Sequence, residues 1–383
     1  MKKVTDFKVK GKKILVRCDF NVPLDREGRA IDDFRIREAI PTIEYLLQKG
    51  AKVILMSHFG DPKGKKVKEL SLASIQEKLM EYLDCSITKA DDCIGKEIEE
   101  WTKEMQEGEI LLLENLRFHL GEEANDPDFA QALSRLGDIF VNDAFGASHR
   151  EHASVVGVTK FLASGIGLLF EKEIKNLDKI LKNPKRPLIG IIGGAKLSSK
   201  IKPISELLEK VDYLLLGGKI ANTLLAENNL LKVDSSTLAE IEEVVQKIDL
   251  NNPKIILPQD VMVMAGKPQA KKINEVKENE SALDIGPKTR EAFSEKIKEA
   301  KTIFWSGPLG KVDEPGFAEG SLVISRAIKE SKAFSAVGGG DTVAFLAKNS
   351  LLDNFSFVST GGGAMLEYLS GEKLPAISAL GGR

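Results

Sequence analysis

The feature that most limits what this chain can fold into is a repeated alternation of short apolar runs with helix-period segments. Lys13–Val16, Lys52–Met56, Ile110–Leu113 and Asp138–Val141 in the first half, and Tyr213–Leu216, Ile303–Trp305, Ser335–Val337 and Ser356–Ser359 in the second, read as strands. Amphipathic helical patterns such as Arg35–Gln48 and Leu72–Tyr82 fall between them. Strands alternating with helices predict parallel sheets with right-handed crossovers, whose ligands bind outside the carboxyl ends of the strands. At 383 residues the chain exceeds the ~250–300 at which single cores stop growing, so two such domains are expected.

The residues just past each strand differ between the halves. In the first half, Arg17-Cys18-Asp19-Phe20-Asn21, Ser57-His58-Phe59-Gly60-Asp61, Glu114-Asn115-Leu116-Arg117 and Asn142 to Arg150 place Arg or His at four successive strand ends. One such arginine is ordinarily a solvated loop charge. Four ends carrying them predict that Arg17, Arg35, His58, Arg117, His149 and Arg150 converge on one crevice, where planar guanidinium groups suit phosphate and carboxylate. His119 and His152 lie in the same half, and no histidine pair has the spacing of an H-E-x-x-H metal site, so all read as anion-site or structural groups.

In the second half the strand ends carry glycine: Gly217-Gly218-Lys219, Gly307-Pro308-Leu309-Gly310, Gly338 to Thr342, and Gly361 to Ala364. Pro187–Ile201 adds an apolar run, Gly193-Gly194 and Lys196 before a helical segment. That is either a phosphate site, made of backbone N–H groups, a helix N-terminus and a lysine, or an ordinary turn with an incidental lysine. Repetition of such ends suits a nucleotide. A G-x-x-x-x-G-K-[ST] loop, a G-x-G-x-x-G after a strand and a G-x-S-x-G elbow are all missing. An anion-rich first half and a nucleotide-like second half therefore point to phosphoryl transfer on another scaffold.

Composition sets bounds on this. A net charge of −2 with 42% hydrophobic and 29% charged residues gives no global bias toward nucleic acid. Cys18, Cys85 and Cys93 are odd in number and lack C-x-x-C spacing, so they read as reduced thiols. The N-terminal residues have no apolar signal region, and nowhere do about 18 uncharged apolar residues run together, so a cytoplasmic protein without membrane partners is expected. Ser164–Asn183 reads as a connector: a helix from about Leu169 puts Ile174, Leu177, Ile180 and Leu181 on one face, and Pro184 and Pro187 end it.

Taken together the motifs closely resemble those of the phosphoglycerate kinases. Arg17-x-Asp-x-Asn-Val-Pro23, Arg35-Ile-Arg with Pro41-Thr42-Ile43, Leu113 to Phe118, Asn142 to Gly146 and His149-Arg150 are similar to that family's substrate domain. Gly193-Gly-Ala-Lys196, Ala221-Asn222-Thr223, Asp284 to Pro287, Gly338–Thr342 and Thr360–Ala364 are similar to its nucleotide domain. The resemblance implies two doubly wound parallel-sheet (Rossmann-like) α/β domains joined by a hinge helix. It divides the chain into 1–168 for phosphoglycerate, 169–185 as hinge, 186–366 for nucleotide, and 367–383 returning to the first domain.

The activity implied is reversible, Mg²⁺-dependent transfer between ATP and the carboxylate of 3-phosphoglycerate. Catalysis would rest on Arg35 and Lys196. Phosphoglycerate would be held by Asp19, Phe20, Asn21, Arg35, His58, Phe59, Gly60, Asp61, Arg117, His149 and Arg150. The nucleotide would be held by Gly194, Lys200, Gly217, Asn222, Gly310, Asp313, Gly339, Gly340, Asp341 and Thr342, with Asp341 as magnesium ligand. A monomer is the default. Three positions depart from the family pattern: Asp61 where arginine is usual, Ser306 where asparagine is, and Asp313 where glutamate is. Lys63, Lys65 or Lys66 is expected to offset the charge of Asp61. The rival readings are a catalytically silent regulator that binds nucleotide and metabolite, and, more remotely, a nicotinamide-dependent dehydrogenase.

Overall fold

The computed structural model describes residues 1–25, 30–195, 200–227, 231, 248–249 and 251–382. The chain divides into two compact units, Met1–Lys175 with Lys373–Arg383, and Asn176–Glu372.

The first unit is built on a six-stranded sheet of β1 (Lys13–Arg17), β2 (Lys52–Met56), β3 (Ile87–Lys89), β4 (Ile110–Leu112), β5 (Ile139–Asn142) and β6 (Ala163–Ile166), in the order β3-β4-β2-β1-β5-β6. Every pairing is parallel; Leu15 lies opposite Ile54 on one side and Phe140 on the other. A central parallel strand is covered on both faces, which is why β1 is apolar without alternation, and Ile14, Leu15 and Val16 are 0% exposed. The chain leaves β1 toward β2 and later returns to its other side at β5, so the topological switch point lies between β1 and β5.

The second unit repeats the plan. Strands β7 (Leu188–Ile192), β8 (Tyr213–Leu216), β9 (Ile255–Ile256), β13 (Thr302–Ser306), β14 (Phe334–Gly338) and β15 (Phe357–Val358) form a parallel sheet ordered β15-β14-β13-β7-β8-β9, with its switch between β7 and β13. Between β9 and β13 lies a small antiparallel sheet of β10 (Asp260–Ala265), β11 (Lys267–Lys272) and β12 (Ala282–Ile285). The alternation did not predict this sheet, nor β3, β6 and β9.

The connector forms a helix over Leu168–Leu181, and the division between the units falls inside it, after Lys175. Leu177 and Ile180 are buried as the pattern predicts, but Glu173 is buried as well, so the helix's acids are not all on its solvated face. After Glu372 the chain rejoins the first unit. There Leu374 and Ala376 are at most 1% exposed, and Ala376 N donates to Ser148 O at 3.1 Å.

Candidate active site

In the first unit the ends of β1, β2 and β4 and the start of the helix Phe34–Gln48 meet at the switch point. Arg35 Nη1 lies 3.2 Å from Asp19 Oδ2 and donates to Asn21 O at 3.0 Å. Asn21 Oδ1 accepts from Gly60 N at 2.9 Å, and Gly60 O accepts from Arg117 Nη1 at 2.7 Å, so the loops after three strands are tied together. Phe59 is held by reciprocal bonds to the Asn115 side chain, 3.0 and 2.7 Å. Phe20 and Phe59 are buried in the core, so these two expected site residues offer the crevice their backbone only.

Arg17 is a correction. Its guanidinium is 0% exposed and faces inward, donating to Ser154 Oγ at 2.8 Å, to Cys18 O, and to His58 Nδ1 at 3.1 Å, with the buried Glu122 carboxylate 4.0 Å away. A strand-end position alone does not show which way a side chain turns, and here it turns into the scaffold. The bond to His58 has a chemical result. A guanidinium only donates, so Nδ1 must accept and the ring presents Nε2–H.

Burial, then the charges of Arg17, Arg117, Arg150 and Arg35, holds His58 well below the usual imidazole range. His58 is therefore a neutral donor at neutral pH, among four guanidinium groups. His149 is pushed down to about 4, by burial first and Arg150 second, and accepts from Arg150 Nε at 3.3 Å. Asp61 is exposed and acts electrostatically on Arg150. Of its expected offsets, Lys66 is already engaged with Asp92 at 2.8 Å; Lys63 and Lys65 remain exposed. His119 pairs with Asp92, outside the crevice cluster, whereas His152 is buried within electrostatic reach of Arg150, Arg17, Arg117 and His149.

In the second unit the turns after β7 and β13 press together. Gly193 N donates to Ser306 O at 3.0 Å, Gly194 N to Pro308 O at 2.7 Å, and Gly307 N to Thr342 Oγ1 at 2.9 Å. A Cβ on Gly307 would lie 2.1 Å from Gly193 O, so only glycine permits this approach. Lys200 Nζ is anchored on Gly193 O at 2.6 Å and Ser306 O at 3.4 Å, and burial, opposed by Asp341, lowers its pKa to about 8. Helices begin here at Ile201, Gly218 and Gly340, directing N-terminal N–H groups and partial positive charge toward an anion.

Beside these turns is a cavity of 460 Å³ lined by Gly194, Asn222, Gly310, Asp313 and Asp341 of the expected nucleotide residues. Gly217 does not line it. Its amide continues the β7–β8 ladder, donating to Ile192 O, and the neighbouring Gly218 and Lys219 take its place. Gly339, Gly340 and Thr342 form the turn behind the cavity, where Thr342 is fully buried. The cavity is also lined by Lys311 and Val312, after β13, and by Ala282 and Leu283 of β12, which sequence reasoning missed because the antiparallel sheet carries no strong apolar pattern. Asn222 Nδ2 donates to Ala282 O at 2.8 Å. Asp284 is structural: buried, it accepts from Gly320 N at 2.8 Å. Lys196 lies outside the described residues.

Comparison with known proteins places the chain in a family. The phosphoglycerate kinase family model matches residues 4–372. The chain is 43% identical to a phosphoglycerate kinase of Chlorobium limicola, with 99% of each chain covered, and 45% identical to one of Herpetosiphon aurantiacus, with 98% of each covered. Among solved structures, phosphoglycerate kinase from Pyrococcus horikoshii is similar with a TM-score of 0.90 at 31% identity, covering 100% of this chain and 98% of that one. That from Coxiella burnetii has a TM-score of 0.82 at 36% identity, covering 99% and 98%.

Proposed function

Because the chain belongs to the phosphoglycerate kinase family, we propose that each of its two switch points holds one of the reaction's substrates. The reaction is reversible phosphoryl transfer between ATP and the carboxylate of 3-phosphoglycerate, giving ADP and 1,3-bisphosphoglycerate. Phosphoglycerate binds in the first unit to Arg35, Arg117, Arg150, His58 and His149, with Asp19 and Asn21 and the backbone of Phe20, Phe59, Gly60 and Asp61 completing the crevice. ATP binds in the second unit at Gly194, Lys200, Asn222, Gly310, Asp313 and the 339–342 turn. The observation that carries this reading is the convergence of Arg35, Arg117 and Arg150 beside a buried, neutral His58, which Arg17 supports from within, a cationic crevice suited to an acid with two anionic groups.

The acceptor is already a nucleophilic carboxylate, so the transfer needs no general base; it needs positioning and positive charge around a loose transition state. Asp19 and the Asn21 carbonyl hold Arg35 in place for that purpose, and Lys196 is assigned the same task from the other substrate's side. Asp341 fits a magnesium site: it faces the cavity, and its carboxylate enters no hydrogen bond or ion pair among the described residues. Magnesium takes one or two carboxylates beside phosphate oxygens, whose charge it neutralises.

Transfer requires reacting atoms within about 3–3.5 Å of each other. Residues 169–185, which contain the division between the units, are assigned as the hinge of the closure this demands. Residues 1–168 are assigned to phosphoglycerate, 186–366 to nucleotide, and 367–383 to the return segment, of which 373–383 group with the first unit and 367–372 still with the second. The free thiols of Cys18, Cys85 and Cys93 support a cytoplasmic enzyme, and a monomer is proposed. The test is ATP- and magnesium-dependent formation of 1,3-bisphosphoglycerate, coupled to its reduction. Arg117→Ala should raise the KM for 3-phosphoglycerate at least about tenfold with ATP binding unchanged, and Lys196→Ala should collapse kcat. Absence of turnover in folded, ATP-binding protein would overturn the reading.

A further inference from the structure

We propose that Asp92, Cys93 and His119 form a binding site for a thiophilic divalent cation of the zinc class, at the carboxyl edge of the first sheet and apart from the phosphoglycerate crevice. The topology brings the three together. Strands β3 and β4 are parallel neighbours, with Lys89 opposite Leu112. The loop after β3 carries Asp92 and Cys93, and the turn after β4 leads to His119. The two loops are tied where Glu114 N donates to Asp92 O at 3.2 Å and Cys93 Sγ donates to Glu114 O at 2.9 Å.

One carboxylate oxygen, Cys93 Sγ and one imidazole nitrogen lie within 4.8 Å of one another. His119 Nε2 is 2.5 Å from Asp92 Oδ1, and its ring is stacked on Phe129 at 5.1 Å, which fixes its plane. A tetrahedral zinc ion spaces its ligand atoms about 3.5 Å apart. Side-chain rotation that separates Asp92 from His119 by about an ångström and brings the thiol inward gives that spacing. The mixed oxygen, sulfur and nitrogen set selects zinc-class ions over magnesium and calcium, which take oxygen. Asp92 and His119 are about a third exposed, at 31% and 27%, giving an entry path and a fourth position for water, while Cys93 is buried behind them. On binding, the Cys93 S–H bond breaks, its proton leaves to solvent, and a sulfur–metal bond forms.

The site has a built-in competitor. Lys66 Nζ sits 2.8 Å from Asp92 Oδ2 on a side chain 61% exposed, and its positive charge opposes a cation bound through the other oxygen of the same carboxylate. This gives a test whose arms move in opposite directions. Cobalt(II) added to the full-length protein should produce a thiolate-to-cobalt charge-transfer band, and zinc should abolish it by competition. Cys93→Ser should lose the band, Cys85→Ser should keep it, and His119→Gln should weaken binding about tenfold or more. Lys66→Gln, a surface change that cannot disturb the core, should tighten it. Zinc should also raise the melting temperature of the wild type and not of Cys93→Ser. A wild type with no band, a band that survives Cys93→Ser, or a Lys66→Gln protein that binds no more tightly would each overturn the proposal.

Discussion

Lys200 keeps its ammonium against two carbonyl oxygens in surroundings that lower its pKa to about 8, so its charge is lost within an accessible pH range. Affinity for ATP, measured by calorimetric titration, should hold from pH 6.5 to about 8 and then weaken by up to about tenfold per pH unit, and Lys200→Gln should remove that step. Asp143 is the opposite case. Burial raises its carboxyl to about 6 from 3.8, against the backbone N–H of Phe170 at 3.1 Å. Its folded pKa lies above the unfolded one, so the native state holds the proton more tightly. That stability is fully present below about pH 4 and lost as pH rises through about 6. Asp143→Asn should therefore gain on the wild type by on the order of 2 kcal/mol between pH 4 and 7, read from denaturant midpoints. The roles of single residues were only partly legible. Arg17 and Arg117 occupy the same kind of strand-end position, yet one supports His58 from within and the other lies at the crevice, a difference set by tertiary packing rather than by the residues beside them.

At the scale of elements, the turns after β7 and β13 meet backbone to backbone at Gly193 and Gly307. Gly307 has φ +94° and a Cβ there would meet Gly193 O, so Gly307→Ala must push the turns apart. ATP binding should fall more than tenfold while phosphoglycerate binding in the other unit stays within twofold, both by calorimetry; equal losses would mean the damage is global. The strands flanking both switch points were readable because a parallel strand covered on both faces must be a continuous apolar run. The small antiparallel sheet was not. Its β11, Lys-Pro-Gln-Ala-Lys-Lys, is almost wholly exposed and has nothing to bury, so no periodicity marks it. With it went Ala282 and Leu283, which left that part of the second unit's cavity unread.

For the whole molecule, length predicted two sheets and alternation predicted their class, but no local pattern shows that residues 373 onward belong with the first unit; only resemblance suggested it. Leu374 is 1% exposed there, and Leu374→Ala should destabilise the first unit by about 2–4 kcal/mol. Each unit holds one of the two tryptophans, Trp101 in the first and Trp305 in the second, so a Trp305→Phe background lets fluorescence report the first unit alone. The same discontinuity acts on the ribosome. Synthesis delivers residues 1–175, then the whole second unit, and only afterwards the segment whose Leu374, Ala376 and Ile377 close the first unit's core. The half that begins first is thus the half that is finished later, and a nascent chain interrupted anywhere in residues 176–372 carries an open apolar seam for chaperones and proteases to find.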